Sequence, residues 1–127
     1  MELNILRADP AGNITVFVLD PVEKAQRAAI AEKIMAIPAL KAEQVGYACA
    51  AEDDVDGHME MMGGEFCGNA TRAYGMYIAQ QKGGLSAVRL RVSGCDHAVT
   101  AQVDLKSGTA RAEMPCPRSV KRVTVNG

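Results

Sequence analysis

The stretch GGEFCGNATRAYGMYIAQQKGG, residues 63–84, decides the fold. Two glycine pairs, Gly63-Gly64 and Gly83-Gly84, bracket it. Ala70, Ala73, Tyr74, Tyr77 and Ile78 recur at helical spacing, which predicts a helix over residues 70–82 with a full apolar face. Gly75, Met76 and Ala79 leave the opposite side small or apolar too. Past Arg72 this helix is uncharged for two turns. A helix apolar on all sides needs cover on all sides. The rest of the chain must therefore wrap it in sheet, and Ala73→Leu would overpack it.

The flanking sequence supplies strands. Upstream, residues 2–8 and Ile14–Leu19 read as a hairpin around Asp9-Pro10-Ala11-Gly12-Asn13. Asp20-Pro21 then opens a helix, with Asp20 as N-cap, Glu23 completing a capping box and Pro38 as terminator. Ile30, Ile34 and Ile37 mark its apolar side, and Glu23 and Arg27 pair on its wet side. Val45–Ala51 and His58–Met62 read as strands around an acidic, solvated loop at residues 52–57. Downstream, Ser86–Ser93, Ala98–Leu105, Thr109–Met114 and Val120–Val125 alternate with period two. The order β-β-α-β-β-α and then β throughout predicts an α+β domain, a largely antiparallel curved sheet around a central helix.

Composition sets the class. With 127 residues, one core closes and the chain is one domain. Hydrophobic residues make up 48% and charged ones 23%, which excludes wholesale disorder. Net charge is −1, against the basic stripe of a nucleic-acid partner; Arg118, Lys121 and Arg122 read as a solvated strand edge. No apolar run approaches the ~18 residues of a membrane span, and residues 1–20 carry no signal-peptide core. A cytoplasmic location and reduced thiols are the resulting expectation. Cys49, Cys67, Cys95 and Cys116 show no CxxC spacing. Cys95-Asp96-His97 offers two ligands with only His58 to add to them, so no metal site is expected.

The chemistry lies at residues 63–72. A cysteine stands just before the helix start, with Asn69 as a natural N-cap. The first N–H groups of a helix lack partners and carry the positive end of its dipole, which suits a carboxylate. Gly68 allows a ligand close to the backbone. A thiolate is favoured in such a place. It could remove a proton from the carbon alpha to a bound carboxylate. Local physics leaves a second possibility open, a small buried cysteine ahead of an ordinary capped helix.

Cys67-Gly68-Asn69-Ala70-Thr71-Arg72, with Gly12-Asn13 and the apolar strand ending in Asp20, resembles the N-terminal active-site motif of the diaminopimelate epimerase family. These amino-acid racemases and epimerases use no pyridoxal phosphate. The resemblance implies no cofactor, an amino-acid or small carboxylic-acid substrate, and Cys67 as one of two catalytic thiols. It further implies substrate contacts from Asn13, Gly68 and Asn69. The family's upstream substrate-contacting Asn has no Asn here; Glu60 or His58 falls at its place. Met62-Gly63-Gly64-Glu65-Phe66-Cys67-Gly68-Asn69 is most similar to the histidine-racemase branch.

Family members pair two pseudo-symmetric domains, each supplying one thiol. Cys95 and Cys116 lack the following glycine and helix start. The chain therefore reads as the N-terminal half, whose partner would be a C-terminal domain or a second copy. Alternatives are an isomerase of small carboxylic acids and a non-catalytic carboxylate-binding or assembly module. Of the four cysteines, Cys67 is expected to alkylate fastest with iodoacetamide, as peptide mass mapping would show. Preferential labelling of Cys49 or Cys116 in the native protein would contradict this.

Overall fold

The computed structural model describes residues 2–9 and 13–112. In chain order the elements are β1 (Ile5–Ala8), β2 (Thr15–Val18), α1 (Lys24–Met35), β3 (Gln44–Cys49), β4 (Gly57–Met61), α2 (Gly68–Gln81), β5 (Ala87–Val92), β6 (Val99–Asp104) and β7 (Thr109–Ala112). These strands form one sheet in sequence order. Neighbours are antiparallel except β2–β3 and β4–β5, which are parallel. Each parallel pair is joined through a helix, as a parallel connection requires. Strand direction reverses between β3 and β4. The two helices lie on opposite faces, α1 with Val16 and Val18 and α2 with Phe17, as crossovers of the usual right hand on either side of that reversal require.

The side chains of β2 record this arrangement. Val16 and Val18 join Ile30, Ala31 and Ile34 of α1 with Val45 and Tyr47 of β3 in one cluster. Phe17, between them, joins Met59, Tyr74, Leu90, Val99 and Ala101 in the other. All four β2 residues are buried, so this strand is covered on both faces.

The sheet curls around α2, which packs on β4, β5, β6 and β7. The Phe17 and Tyr74 rings, 5.3 Å apart, bring β2 into the same core. The α+β architecture with a curved sheet around one helix is thus present. Gly75 permits the close approach: a Cβ there would lie 2.8 Å from the Ala101 Cβ. The buried side of α2 runs through Thr71, Tyr74, Gly75 and Ala79. Ala73 and Tyr77, expected inside, lie instead on a half-exposed flank. With Leu6, Ala8, Met76 and Ala110 they line an apolar groove of ≈430 Å³ among the described residues.

Other local expectations shift. Helix α1 starts at Lys24 behind Glu23, which makes no side-chain cap bond. Asp20 does not cap it, because its carboxylate accepts from the Asn4 backbone N–H at 2.6 Å and the Asn4 side chain at 3.2 Å. It extends the first hairpin instead. Ile37 lies beyond the helix end and is 45% exposed. The acidic loop is tied down rather than merely solvated, since Asp56 accepts from the Arg89 N–H at 2.8 Å and Asp54 pairs with Arg91 at 3.3 Å. Gly12, Cys116, the basic residues Arg118, Lys121 and Arg122 and the strand expected over Val120–Val125 lie outside the described residues. Among the described residues no helix is long and apolar enough to cross a membrane.

Gly75→Leu is expected to cost about 1–3 kcal/mol by overpacking the α2–β6 contact. Ala73→Leu, on the open flank, should cost distinctly less. Urea midpoints of the two variants test this, and equal losses would place the buried side of α2 wrongly.

Candidate functional site

The register of the sheet brings the site together. Gly46 of β3 faces Met61 at the end of β4, so Gln44 reaches past β4 to the loop that follows. Thr15 pairs with Gln44 across the parallel β2–β3 ladder. Thr15 and Gln44 share the α2 face with Phe17, Gly46 and Ala48. Loop 62–67 then turns the chain into α2 at this same end of the sheet. Its path is held by a Met62 N–H bond to the Val45 carbonyl at 2.9 Å and a Gly64 N–H bond to the Met61 carbonyl at 2.9 Å.

Cys67 is the N-cap of α2, in extended conformation, and Asn69 lies inside the first turn. The sequence placed the cap two residues late, because Asn is the commoner capping side chain. The Cys67 Sγ accepts from the Ala70 N–H at 3.5 Å and from the Gln44 Nε2 at 3.2 Å. The same Gln44 amide donates to the Thr15 Oγ at 2.7 Å, which fixes its orientation. Thr71 donates its hydroxyl to the Cys67 carbonyl at 2.8 Å. The partly buried sulfur thus faces two N–H donors. Gly68 and Asn69 open the helix, and their N–H groups have no intrahelical partner. The Asn69 side-chain oxygen accepts from Arg72. Asn13 enters β2 two residues before Thr15, at the same end of the sheet. Gln44 had no signal in the sequence: a polar residue opening a strand is ordinary, and only the register aims it at the sulfur.

His58 and Glu60 lie elsewhere. They alternate with Met59 and Met61, which are in the α2 core, and so face α1. There Arg27 donates to Glu60 at 2.5 Å and to the Cys49 Sγ at 3.6 Å. Its guanidinium stacks over the Tyr47 ring at 5.2 Å, and the Tyr47 hydroxyl donates to the Arg27 carbonyl at 2.5 Å. Its Nε is buried and has no hydrogen-bond partner among the described residues. The expected pair on the wet side of α1 is therefore replaced: Arg27 turns inward to Glu60. Arg27, His58 and Glu60 line a groove of ≈580 Å³ with Lys24, Met62 and Arg91.

Cys49, His58 and Glu60 each place one donor atom within 4.8 Å of the others, and among the described residues they could hold a cation. Arg27 already spans two of them. Sequence spacing, from which no metal site is expected, does not group these three, since Cys49 and His58 meet only through the β3–β4 register. The bond from Arg27 holds the Glu60 carboxyl below its ordinary range, against the opposing effect of burial. Burial, and then the Glu60 charge, push the Cys49 thiol up, with Arg27 opposing them. Cys49 is thereby disfavoured as a thiolate.

A curled sheet around one helix, with a cysteine capping that helix, is the architecture that the motif's resemblance implies. Residues 2–127 match the family described as the histidine racemase CntK N-terminal domain, and the chain belongs to that family. Histidine racemase from Staphylococcus aureus strain Mu50 is 32% identical over 122 residues, covering 93% of this chain and 44% of that protein. Histidine racemase from Fusobacterium nucleatum strain ATCC 25586 is 42% identical over 79 residues, 61% of this chain and 27% of that protein. The chain thus spans less than half the length of either relative.

Arg27→Met should cost about 1–3 kcal/mol at pH 7, because it strands the half-buried Glu60 carboxylate. The folded-state pKa of Glu60 is lowered, so its contribution is present above the unfolded value of about 4.3 and lost as pH falls through the folded one. The stability gap between wild type and variant should therefore narrow in acid. A gap independent of pH between 7 and 3 would show that the ion pair does not set it.

Proposed function

We propose that this chain is the N-terminal domain of a cofactor-independent amino-acid racemase, with histidine as the substrate suggested by its relatives. The Cys67 Sγ at the start of α2, within reach of the Gln44 and Ala70 donors, is the observation that supports this reading most directly. Cys67 as thiolate takes the alpha proton of a substrate whose carboxylate rests on the Gly68 and Asn69 N–H groups. The electron pair left on the alpha carbon delocalises into that carboxylate, which the helix N-terminus stabilises. Asn13 and the Asn69 side chain orient the substrate. His58 and Glu60 belong to the Arg27 network on the other face, and we assign them no substrate contact.

Inversion needs a second acid on the opposite side of the alpha carbon. We assign it to a second domain, in line with the greater length of the relatives. One thiol alone can exchange the alpha proton with solvent and retain configuration. Positioned acid–base groups supply about 10²–10⁴-fold each, and the rest of the rate must come from a closed, dry, preorganised pocket.

The purified 127-residue chain should yield no D-histidine from L-histidine in D₂O, by chiral chromatography. Appreciable D-product would mean that a second copy of the chain supplies the other acid. Saturating L-histidine should slow alkylation of Cys67 and leave Cys49 unaffected; equal rates with and without amino acid would remove the substrate from this site.

A further inference from the structure

The path of residues 62–67 places the sulfur, and β5 holds that path. Ser93 follows the last residue of β5. Its Oγ accepts from the Met61 N–H at 2.8 Å and donates to the Glu65 carbonyl at 2.7 Å. Its own N–H donates to the Met59 carbonyl at 3.2 Å. One hydroxyl therefore ties the end of β4 to the peptide two residues before Cys67, with both its donor and its acceptor engaged. Gly94 completes the clasp. Its φ is +79°, and a Cβ there would lie 2.3 Å from the Phe66 nitrogen. A side chain is excluded twice, by conformation and by backbone contact, so the Gly94 backbone seats directly on the Glu65–Phe66 peptide.

We propose that Ser93 is a positioning residue for Cys67. By bridging the Met61 N–H and the Glu65 carbonyl, with Gly94 seated on Phe66, it fixes the loop that sets Cys67 as N-cap. The Cys67 sulfur then meets the Ala70 and Gln44 donors. This inference rests on the reading of Cys67 as the reactive thiol. Without the hydroxyl, the Glu65 carbonyl loses its donor and the Met61 N–H its acceptor, so the loop relaxes and the sulfur leaves its donors.

The test compares Ser93→Thr, which keeps the hydroxyl, with the isosteric Ser93→Val, which lacks it. The readout is the rate of Cys67 alkylation by iodoacetamide as a function of pH, by mass mapping of the folded chain. Ser93→Thr should match wild type. Ser93→Val should react about tenfold more slowly. Ser93→Ala should behave as Ser93→Val, and decides the matter if the β-branched side chains do not fit. A loss of fold stability alone would leave the alkylation rate of the folded fraction unchanged. Equal rates and profiles for the Thr and Val variants, or for wild type and Ser93→Ala, overturn the proposal. A wild-type Cys67 no more reactive than a cysteine in an unstructured peptide overturns the reading of Cys67 itself, which is a separate result.

Discussion

The contact of Gly75 on α2 with Ala101 on β6 is the constraint on which the rest of the domain depends. A helix flanked so closely by a strand cannot rest on a flat sheet. The strands must come round it, and β4 to β7 all reach it. The aliphatic residues that do so, Val88, Leu90, Val92, Val99 and Ala101, are all buried. At 25 cal/mol per Å² of apolar area, such burial is the main favourable term in folding. The helix axis is thereby fixed, and with it the position of its first residue. Cys67 stands where it does because the small residues of α2 face the sheet.

From that fixed start, polar groups converge on one sulfur. Gln44 comes from β3, Thr15 supports it from β2, and Ala70 belongs to the helix itself. The three come from different elements, and only Ala70 is near Cys67 in sequence. Fully buried Thr15 is oriented by Gln44, and Gln44 by Thr15, so neither amide nor hydroxyl is left to wander. A donor held in place costs nothing to reorganise when charge appears on the sulfur.

The architecture was legible in the sequence because it depends on periodicity. The uncharged run from Ala73 to Ala79 announced a wrapped helix, and the alternating segments after Gly84 announced the sheet around it. The string Met62 to Asn69 pointed to the histidine-racemase branch, and the matched family agrees. What failed to show was everything that depends on register or competition. Asp20 is a good cap in isolation but has Asn4 as a closer partner. Asn69 outranks Cys67 as a capping residue on propensity, yet the loop geometry gives the cap to the cysteine. Glu23 and Arg27 suit each other at helical spacing, but Glu60 offers Arg27 a less solvated carboxylate. Ala73 and Gly75 sit on sides of α2 that both look apolar, and only the placement of β6 tells them apart. In each case a non-local partner overrode a local preference.

The charged network behind β3 and β4 has a part in this although it faces away from Cys67. Side chains of a strand alternate between faces, so slippage of one residue would exchange the two. Tyr47 and Glu60 lie opposite each other in the ladder and both engage Arg27. Their neighbours Gly46 and Met61 lie opposite each other on the α2 side. A shift in register would separate Glu60 from Arg27 and strand two half-buried charges. The same shift would turn Gln44 away from Cys67. A polar network of little net value to stability can in this way hold one pairing against its alternatives. The face that carries no proposed chemistry thereby keeps the chemical face in alignment.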